Sequence, residues 1–450
     1  MPEDLRQIDI YEFNETVLHP TAVTLLVVMF LVLLAVQKRD IFVPLVVIGV
    51  LVTDIQRIVI AGIDLSFFRI MLLGVMLRMI LRGELQGIGW SRVDSFVVAY
   101  AVSATVFYFM LWRTASALVN RLGLAFDIMA VYFTCRVYLQ DEKPLLVLMR
   151  WLCMSVIVVS IPMILEQING YNLFSAFGGV PEITMAREGR LRAQGAFSHP
   201  ILAGTYGATI LPVAWALYCT RSGRDRLLAI CAYAGSMVMT ITSASSGPVL
   251  TLAGALMILA LWRQRFNVRS LVAIAVCMVV GLHIVMEAPV WHLISRVDIA
   301  GGSTGWHRYY LIDQTIRNFS EWAVCGVHTT GHWGWGLNDV TNMYVLQAVR
   351  GGLVTFLLFA GMLVLIFSRI GGSVRENRGD GGRQKVAWAW GAVIFAHAVS
   401  FIGVSYFGQM NFFFYLAVGV SAALPRALGV ADGQPLDSRS PYGRLHPLTE

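Results

Sequence analysis

Ser270-Leu-Val-Ala-Ile-Ala-Val-Cys-Met-Val-Val-Gly-Leu-His-Ile-Val285 decides the fold class of this chain. Nearly every position is apolar, and polar residues do not alternate with apolar ones. A closed β-barrel needs that alternation, so the run reads as a membrane-spanning helix. Residues 21–36 read the same way. Of 450 residues, 57% are hydrophobic and only 14% charged, and mean hydropathy is +0.67. A soluble chain carries about 25% charged residues. The expected class is therefore all-α, a polytopic integral membrane protein. The net charge of +7 then reports topology and attraction to anionic lipid. No basic patch interleaved with stacking aromatics lies in a polar segment, so nucleic acid is not an expected partner.

Working outward, runs of spanning or near-spanning length fall near 20–36, 41–61, 66–81, 94–112, 120–139, 145–165, 200–219, 227–244, 246–262, 270–287, 341–368, 386–404 and 407–424. They predict about 12–13 transmembrane helices. The connections at 221–226, 262–269 and 369–385 are rich in arginine and read as cytoplasmic. Alternation puts 167–198, the turn near Ser245 and a large loop at about 288–340 on the extracytoplasmic side. Strict alternation also puts the acidic N-terminus outside, whereas a twelve-helix count puts it inside. Met1–Glu15 lacks a basic n-region and is not read as a cleavable signal. Residues 1–425 are expected to form a single membrane domain, and 426–450 a polar cytoplasmic tail without a fold. Five of the six cysteines lie in apolar runs and read as packing residues, with Cys325 alone in the loop. This argues against a disulfide framework or a cysteine metal site.

The polar residues concentrate in the extracytoplasmic segments of the second half. Arg187-Glu-Gly-Arg-Leu-Arg-Ala-Gln-Gly-Ala-Phe-Ser-His-Pro200 sets Arg187, Arg190 and Arg192 ahead of an apolar run. Arginines at a membrane surface suit a diphosphate, because the planar guanidinium makes bidentate, charge-assisted bonds and stays ionised. The competing reading is an interfacial cluster paired with Glu182 and Glu188. In the large loop, apolar residues at 306, 309, 312, 316 and 319 predict an amphipathic surface helix carrying Arg308. Asn338, Asp339, Thr341 and Asn342 stand where the next spanning helix is expected to start, a place that favours an anion. Asp339 reads equally as a general base or as that helix's N-cap. His199, before Pro200, is either an acceptor-orienting group or a hydrogen-bonded interfacial histidine. Asp54 and Arg57 read as neutralising one another within a spanning run, and Asp127 as facing a polar cavity or pairing with Arg121. His307, His328 and His332 are not spaced as metal ligands on one helix, so no metal is expected. Trp306, Trp333 and Trp335 suit either sugar stacking or an interfacial aromatic belt.

Arg192-Ala-Gln-Gly-Ala-Phe-Ser-His-Pro200 followed by Ala203-Gly204 resembles the Arg-x-x-Gly-x-Phe-x-x-Pro signature of the O-antigen ligase and polymerase family. Thr304-Gly-Trp-His-Arg308 looks like that family's loop arginine. Asn342-x-Tyr344-x-Leu-Gln-Ala-Val-Arg-Gly-Gly-Leu353 is similar to its element after the large loop. The resemblance covers roughly residues 190–365. It implies metal-independent, inverting glycosyl transfer at the outer face of a bacterial inner membrane, without a cofactor. The donor would be an undecaprenyl-diphosphate-linked oligosaccharide and the acceptor a glycan hydroxyl. Arg192 and Arg308 would take the diphosphate and stabilise the leaving charge. Asp339 is the candidate base, and Arg187, Arg190, Gln194, His199, Asn338, Thr341, Asn342 and Tyr344 are candidate substrate contacts. Two departures stand out: Thr341 occupies the place of the ligases' histidine, and Ser245-Ser246 that of a Ser-Arg turn. They favour a polymerase of lipid-linked repeat units, with membrane lipid and a chain-length regulator as partners, over a ligase. The rival from another class is a precursor transporter or flippase, whose expected internal repeat is missing from the sequence.

Overall fold

The computed structural model describes residues 15–85, 89–187, 189–296 and 304–429. The tail beyond 429, all but the last residue of the N-terminal acidic stretch, and Glu188 lie outside the described residues. The architecture is α-helical throughout, with two small hairpins. In chain order it runs α1 (Pro20–Ala35), α2 (Phe42–Leu51), β1 (Arg57–Ile60), β2 (Ile63–Ser66), α3 (Phe67–Leu81), α4 (Arg92–Trp112), α5 (Ala115–Tyr138) and α6 (Glu142–Asn169). Then come β3 (Ala186–Arg187), β4 (Arg190–Leu191), α7 (Pro200–Thr220), α8 (Arg224–Thr242), α9 (Ser246–Ala260) and α10 (Val268–Val285). The chain closes with α11 (Thr304–Arg317), α12 (Phe319–Trp322), α13 (Met343–Glu376), α14 (Gly381–Ser400) and α15 (Gln409–Ala427). Seven helices among the described residues are long and apolar enough to cross a membrane, and α1 is a shorter apolar helix. The protein is a polytopic membrane protein.

Helix boundaries follow local chemistry. Pro20 and Pro200 open α1 and α7 at positions where a missing N–H does no harm. Ser91 and Asp94 close a reciprocal capping box on α4. Thr114, Asp141, Asn342 and Asp380 accept backbone N–H groups at the starts of α5, α6, α13 and α14.

The run at 41–61 departs from expectation. It does not make one spanning helix: α2 stops at Leu51, and the chain turns into an antiparallel hairpin pairing Arg57 with Ser66 and Ile60 with Ile63. The β-branched Ile58-Val59-Ile60 favours a strand, and Ala61-Gly62 takes the two positive φ angles of a tight hairpin turn. Arg57 therefore does not pair with the Asp54 side chain. It donates to Asp64 at 3.0 Å and to the main-chain carbonyl of Asp54.

Contacts fix which ends share a face. Val17 bridges to Arg57, the His19 N–H donates to Gln56, and Thr21 Oγ1 donates to the Ala176 carbonyl at 2.5 Å. Residues 15–21 thus lie at the same end as the 170–199 connection. The loop rejoining α13 has a small core of its own, in which Leu311, Trp322, Trp333 and Leu337 pack against Val345, Ala348 and Val349. The inward stripe of α11 and α12 is Arg308, Leu311, Thr315 and Trp322. Of the apolar stripe read from sequence, Trp306, Ile316 and Phe319 are about half exposed, while Ile312 packs against the loop core. Cys135 and Cys153 are buried as expected, but Cys231 and Cys277 lie on the outer surface of the bundle.

Candidate functional site

The Arg192–Pro200 segment is strapped down from three sides. Glu166, at the end of α6, accepts the N–H groups of Gln194 (3.0 Å) and Gly195 (2.9 Å) and the Thr184 hydroxyl. Asn172 donates to the Gly195 carbonyl at 2.8 Å, and the Ala193 N–H donates to Thr242 of α8 at 3.0 Å. A carboxylate taking main-chain donors holds a loop at one register, so the backbone of the motif is rigid where Arg192 leaves it. Gln194 spends its side-chain amide on the Phe197 carbonyl. Sequence reading missed Glu166, whose only signal was a lone acid near the end of an apolar run.

Arg192 is buried. One guanidinium nitrogen donates to Ser245 Oγ at 2.6 Å, in the turn between α8 and α9. Its Nε is buried with no hydrogen-bond partner, and none of the described carboxylates forms an ion pair with it. Its charged neighbour is Arg187, which repels it. Arg187 and Arg190 face one another across the β3–β4 hairpin and are exposed. A desolvated cation among cations, with a donor left over, is a site prepared for an anion.

His199 caps α7 by accepting the Ile201 N–H on Nδ1 at 3.1 Å. Burial and the nearby Arg192 charge push its imidazole down to about 4, so it is neutral near pH 7.

Arg308 is buried and lies against Gly403 in the α14–α15 connection, where a Cβ would come 3.0 Å from its Cζ. Its neighbour His307 contacts the Asp339 carbonyl at 3.4 Å. Asn338 and Asp339 are exposed. Asp339 is not the N-cap of the following helix. Asn342 has that role, accepting the Val345 N–H at 3.1 Å while donating to the Ile402 carbonyl at 3.2 Å. Thr341 Oγ1 is buried without a partner, and the Tyr344 hydroxyl donates to the Ala398 carbonyl at 3.0 Å. Trp333 is spent in the loop core, whereas Trp335 is 96% exposed.

The Arg192 and Arg308 halves converge on the connection between α14 and α15. Phe407 packs edge-on against His199 at 6.2 Å, Gly403 seats Arg308, and Gln409 donates to the Ala196 carbonyl at 2.7 Å. Arg187, Arg190, Arg192 and His199 form one group. Arg308 and Asn342 touch the connection at Gly403 and Ile402, Tyr344 bonds to the end of α14, and Asp339 meets His307 beside Arg308.

Beyond that wall lies a cavity of about 280 Å³ between α2, α3, α4, α5, α13 and α15. Tyr406, Gly408 and Gln409 form its share of the connection. The short α2 and the hairpin after it leave this space where a full spanning helix would have filled it. At one end Asp54, Asp64 and Asp127 gather around Arg69. Asp127 takes Arg69 Nε on both oxygens at 3.0 Å and a second guanidinium nitrogen at 2.8 Å. It therefore faces the cavity but does not pair with Arg121. Burial raises the Asp54 carboxyl against the pull of Arg69 and Arg57. The other end holds Arg121, Arg350, Tyr100, Tyr108 and Gln347.

Compared with protein-family models the chain matches none, and no curated protein matches it.

Proposed function

We propose that this protein is a membrane glycosyltransferase that polymerises undecaprenyl-diphosphate-linked glycan units at the extracytoplasmic face of a bacterial inner membrane. The observation that carries the reading is Arg192: a buried guanidinium with an unused donor and no carboxylate paired with it among the described residues. Such a group is stabilised by a polyanion such as a diphosphate. Arg308, buried on the other side of the α14–α15 connection, would share the task.

In the reaction, an acceptor hydroxyl oxygen attacks the anomeric carbon of the donor sugar. The bond from that carbon to the diphosphate oxygen breaks, and undecaprenyl diphosphate leaves with the electron pair. The hydroxyl proton passes to a carboxylate, for which Asp339 is the candidate, or to water. Arginines aimed at the leaving oxygen stabilise the charge as it develops, a contribution of about 3–4 kcal/mol per donor in comparable sites. Neutral His199 fixes the start of α7 and leaves the positive field to the arginines. Thr341 and Ser246, in place of the ligases' histidine and arginine, favour joining of repeat units over transfer to a different lipid.

The test is reconstitution of purified protein in vesicles with a lipid-diphosphate oligosaccharide. Polymer formed without nucleotide or ion gradient supports the enzyme. Movement of the lipid-linked glycan across the bilayer with no new glycosidic bond would replace it with a flippase.

A further inference from the structure

We infer that the cavity between α4, α5 and α13 is a second anion site, which binds a phosphate or diphosphate group between Arg121 and Arg350. The inference concerns binding alone and does not rest on glycosyl transfer.

Arg121 is 8% exposed and lines the cavity. Its guanidinium lies over the Tyr108 ring, 3.7 Å from the centroid, and its Nε is buried with no hydrogen-bond partner. Arg350, also on the cavity lining, repels it, and among the described residues no carboxylate forms an ion pair with it. Of the cavity's three aspartates, Asp127 is held by Arg69 and Asp64 by Arg57, and Asp54 lies with them. The buried Arg121 and the exposed Arg350 thus share the cavity lining, and no described carboxylate is paired with either.

Burying Arg121 with no opposite charge beside it is unfavourable unless a ligand completes it. A carboxylate would offset one of the two charges. A phosphoryl group carries about −1.5 to −2 at neutral pH and offers three acceptor oxygens, enough for both guanidiniums. The surroundings supply fixed hydrogen-bonding groups: the Tyr100 hydroxyl donates to Gln347 Oε1 at 2.9 Å and meets the Tyr415 hydroxyl at 3.2 Å. About 280 Å³ is near the ~300 Å³ lower end of small-molecule pockets, room for a phosphorylated head group and little more. The long loop reaches the rim, where His328 packs edge-on against Trp112 at 4.8 Å.

The experiment reads the cavity directly. In full-length protein whose Cys219, Cys231, Cys277 and Cys325 are replaced by alanine, Ser116→Cys places a thiol on the cavity lining. Inorganic pyrophosphate should slow its modification. Arg350→Gln should raise the concentration needed by roughly tenfold, the worth of one charge-assisted bond. Arg121→Gln should do the same, and because Arg350 is exposed its variant keeps the test sound if the Arg121 variant misfolds. A polyprenyl diphosphate protecting at lower concentration than pyrophosphate identifies a lipid head group, and equal potency identifies a soluble phosphate; both support the site. Modification unaffected by either probe, protection that survives Arg350→Gln, or equal protection by acetate would overturn the inference.

Discussion

Gly326 and Gly352 meet where the long loop rejoins the bundle, each pressed against the backbone of the other's element. A Cβ on Gly326 would lie 2.3 Å from the Val349 carbonyl oxygen, and one on Gly352 would lie 2.3 Å from that of Val324. Gly352 breaks the helical path of α13 at φ 70°, ψ −175°, a conformation essentially confined to glycine. The break frees main-chain groups, and the loop takes them: Val327 N–H donates to Val349 at 2.7 Å, and Leu353 N–H donates to Ala323 at 2.9 Å. Arg350 sits in that interruption. The junction thus sets the position of a cavity arginine and anchors the loop carrying Arg308.

Gly352→Ala should therefore undock the loop while leaving the remaining helices inserted. Backbone strain alone amounts to about 1–3 kcal/mol, before the overlap with Val324. Limited proteolysis should cut near residues 324–335 faster than in the parent protein. An unchanged cleavage pattern would show that the junction does not hold the loop.

Arg192→Ala and Arg308→Ala should each abolish polymer formation with normal membrane levels of protein. Each loses about 2–4 kcal/mol of transition-state stabilisation. Polymer of parental length from either variant would remove that arginine from the mechanism.

Asp339→Asn separates orientation from base catalysis. Loss of a general base lowers the rate by roughly 10²–10⁴-fold. Because Asn342 caps α13, the Asp339 substitution has no helix start to disturb, and we expect activity within about threefold of parental, on the view that an activated diphosphate needs little help from a base. Asn342→Ala, by contrast, should lower stability by about 1 kcal/mol.

His199 predicts a pH dependence of stability. Folding lowers its pKa from an ordinary value of 6.5 to about 4, so the unfolded chain binds the proton first as pH falls. The stabilisation is complete above the unfolded pKa and is lost as pH drops from about 6.5 through about 4. His199→Asn keeps a capping acceptor without the titration. Its melting temperature should fall less between pH 7 and pH 5 than that of the parent, and equal losses would refute the assignment.

Topology is tested with cysteines in a chain lacking Cys325. Ser320→Cys, on the exposed side of α12, should react with an impermeant thiol reagent applied outside. Arg378→Cys, exposed between α13 and α14, should not. The reverse pattern would turn the site toward the cytoplasm.

The positions of the helices were legible because continuous apolar runs have one solution in a bilayer. What misled was the run at 41–61, where apolar content hid the change from helical residues to Ile58-Val59-Ile60 and its turn. The inward face of α11 was equally hidden, since Arg308 and Thr315 are buried by loop packing while Trp306 and Ile316 stay outside. Hydropathy cannot distinguish a face turned to protein from one turned to lipid. Arg192 and Arg308 stood out by charge and motif. The pairing of Asp127 with Arg69, 58 residues away, and the meeting of Arg121 with Arg350 are long-range facts that local spacing does not contain.

Helix α10 has no buried residue along its length. Apart from His283, which stacks on Trp291 at 5.4 Å, its side chains face outward, so the order of Val, Ile, Ala and Met within it matters less than their sum. Shuffling those apolar residues should therefore leave insertion intact, whereas Gly326 and Gly352 have no room for a side chain. Extensions or fusions belong before α10, in the exposed turn around Asn267, because Trp291 and His292 after it hold Asp313 and Tyr309 of the helix carrying Arg308.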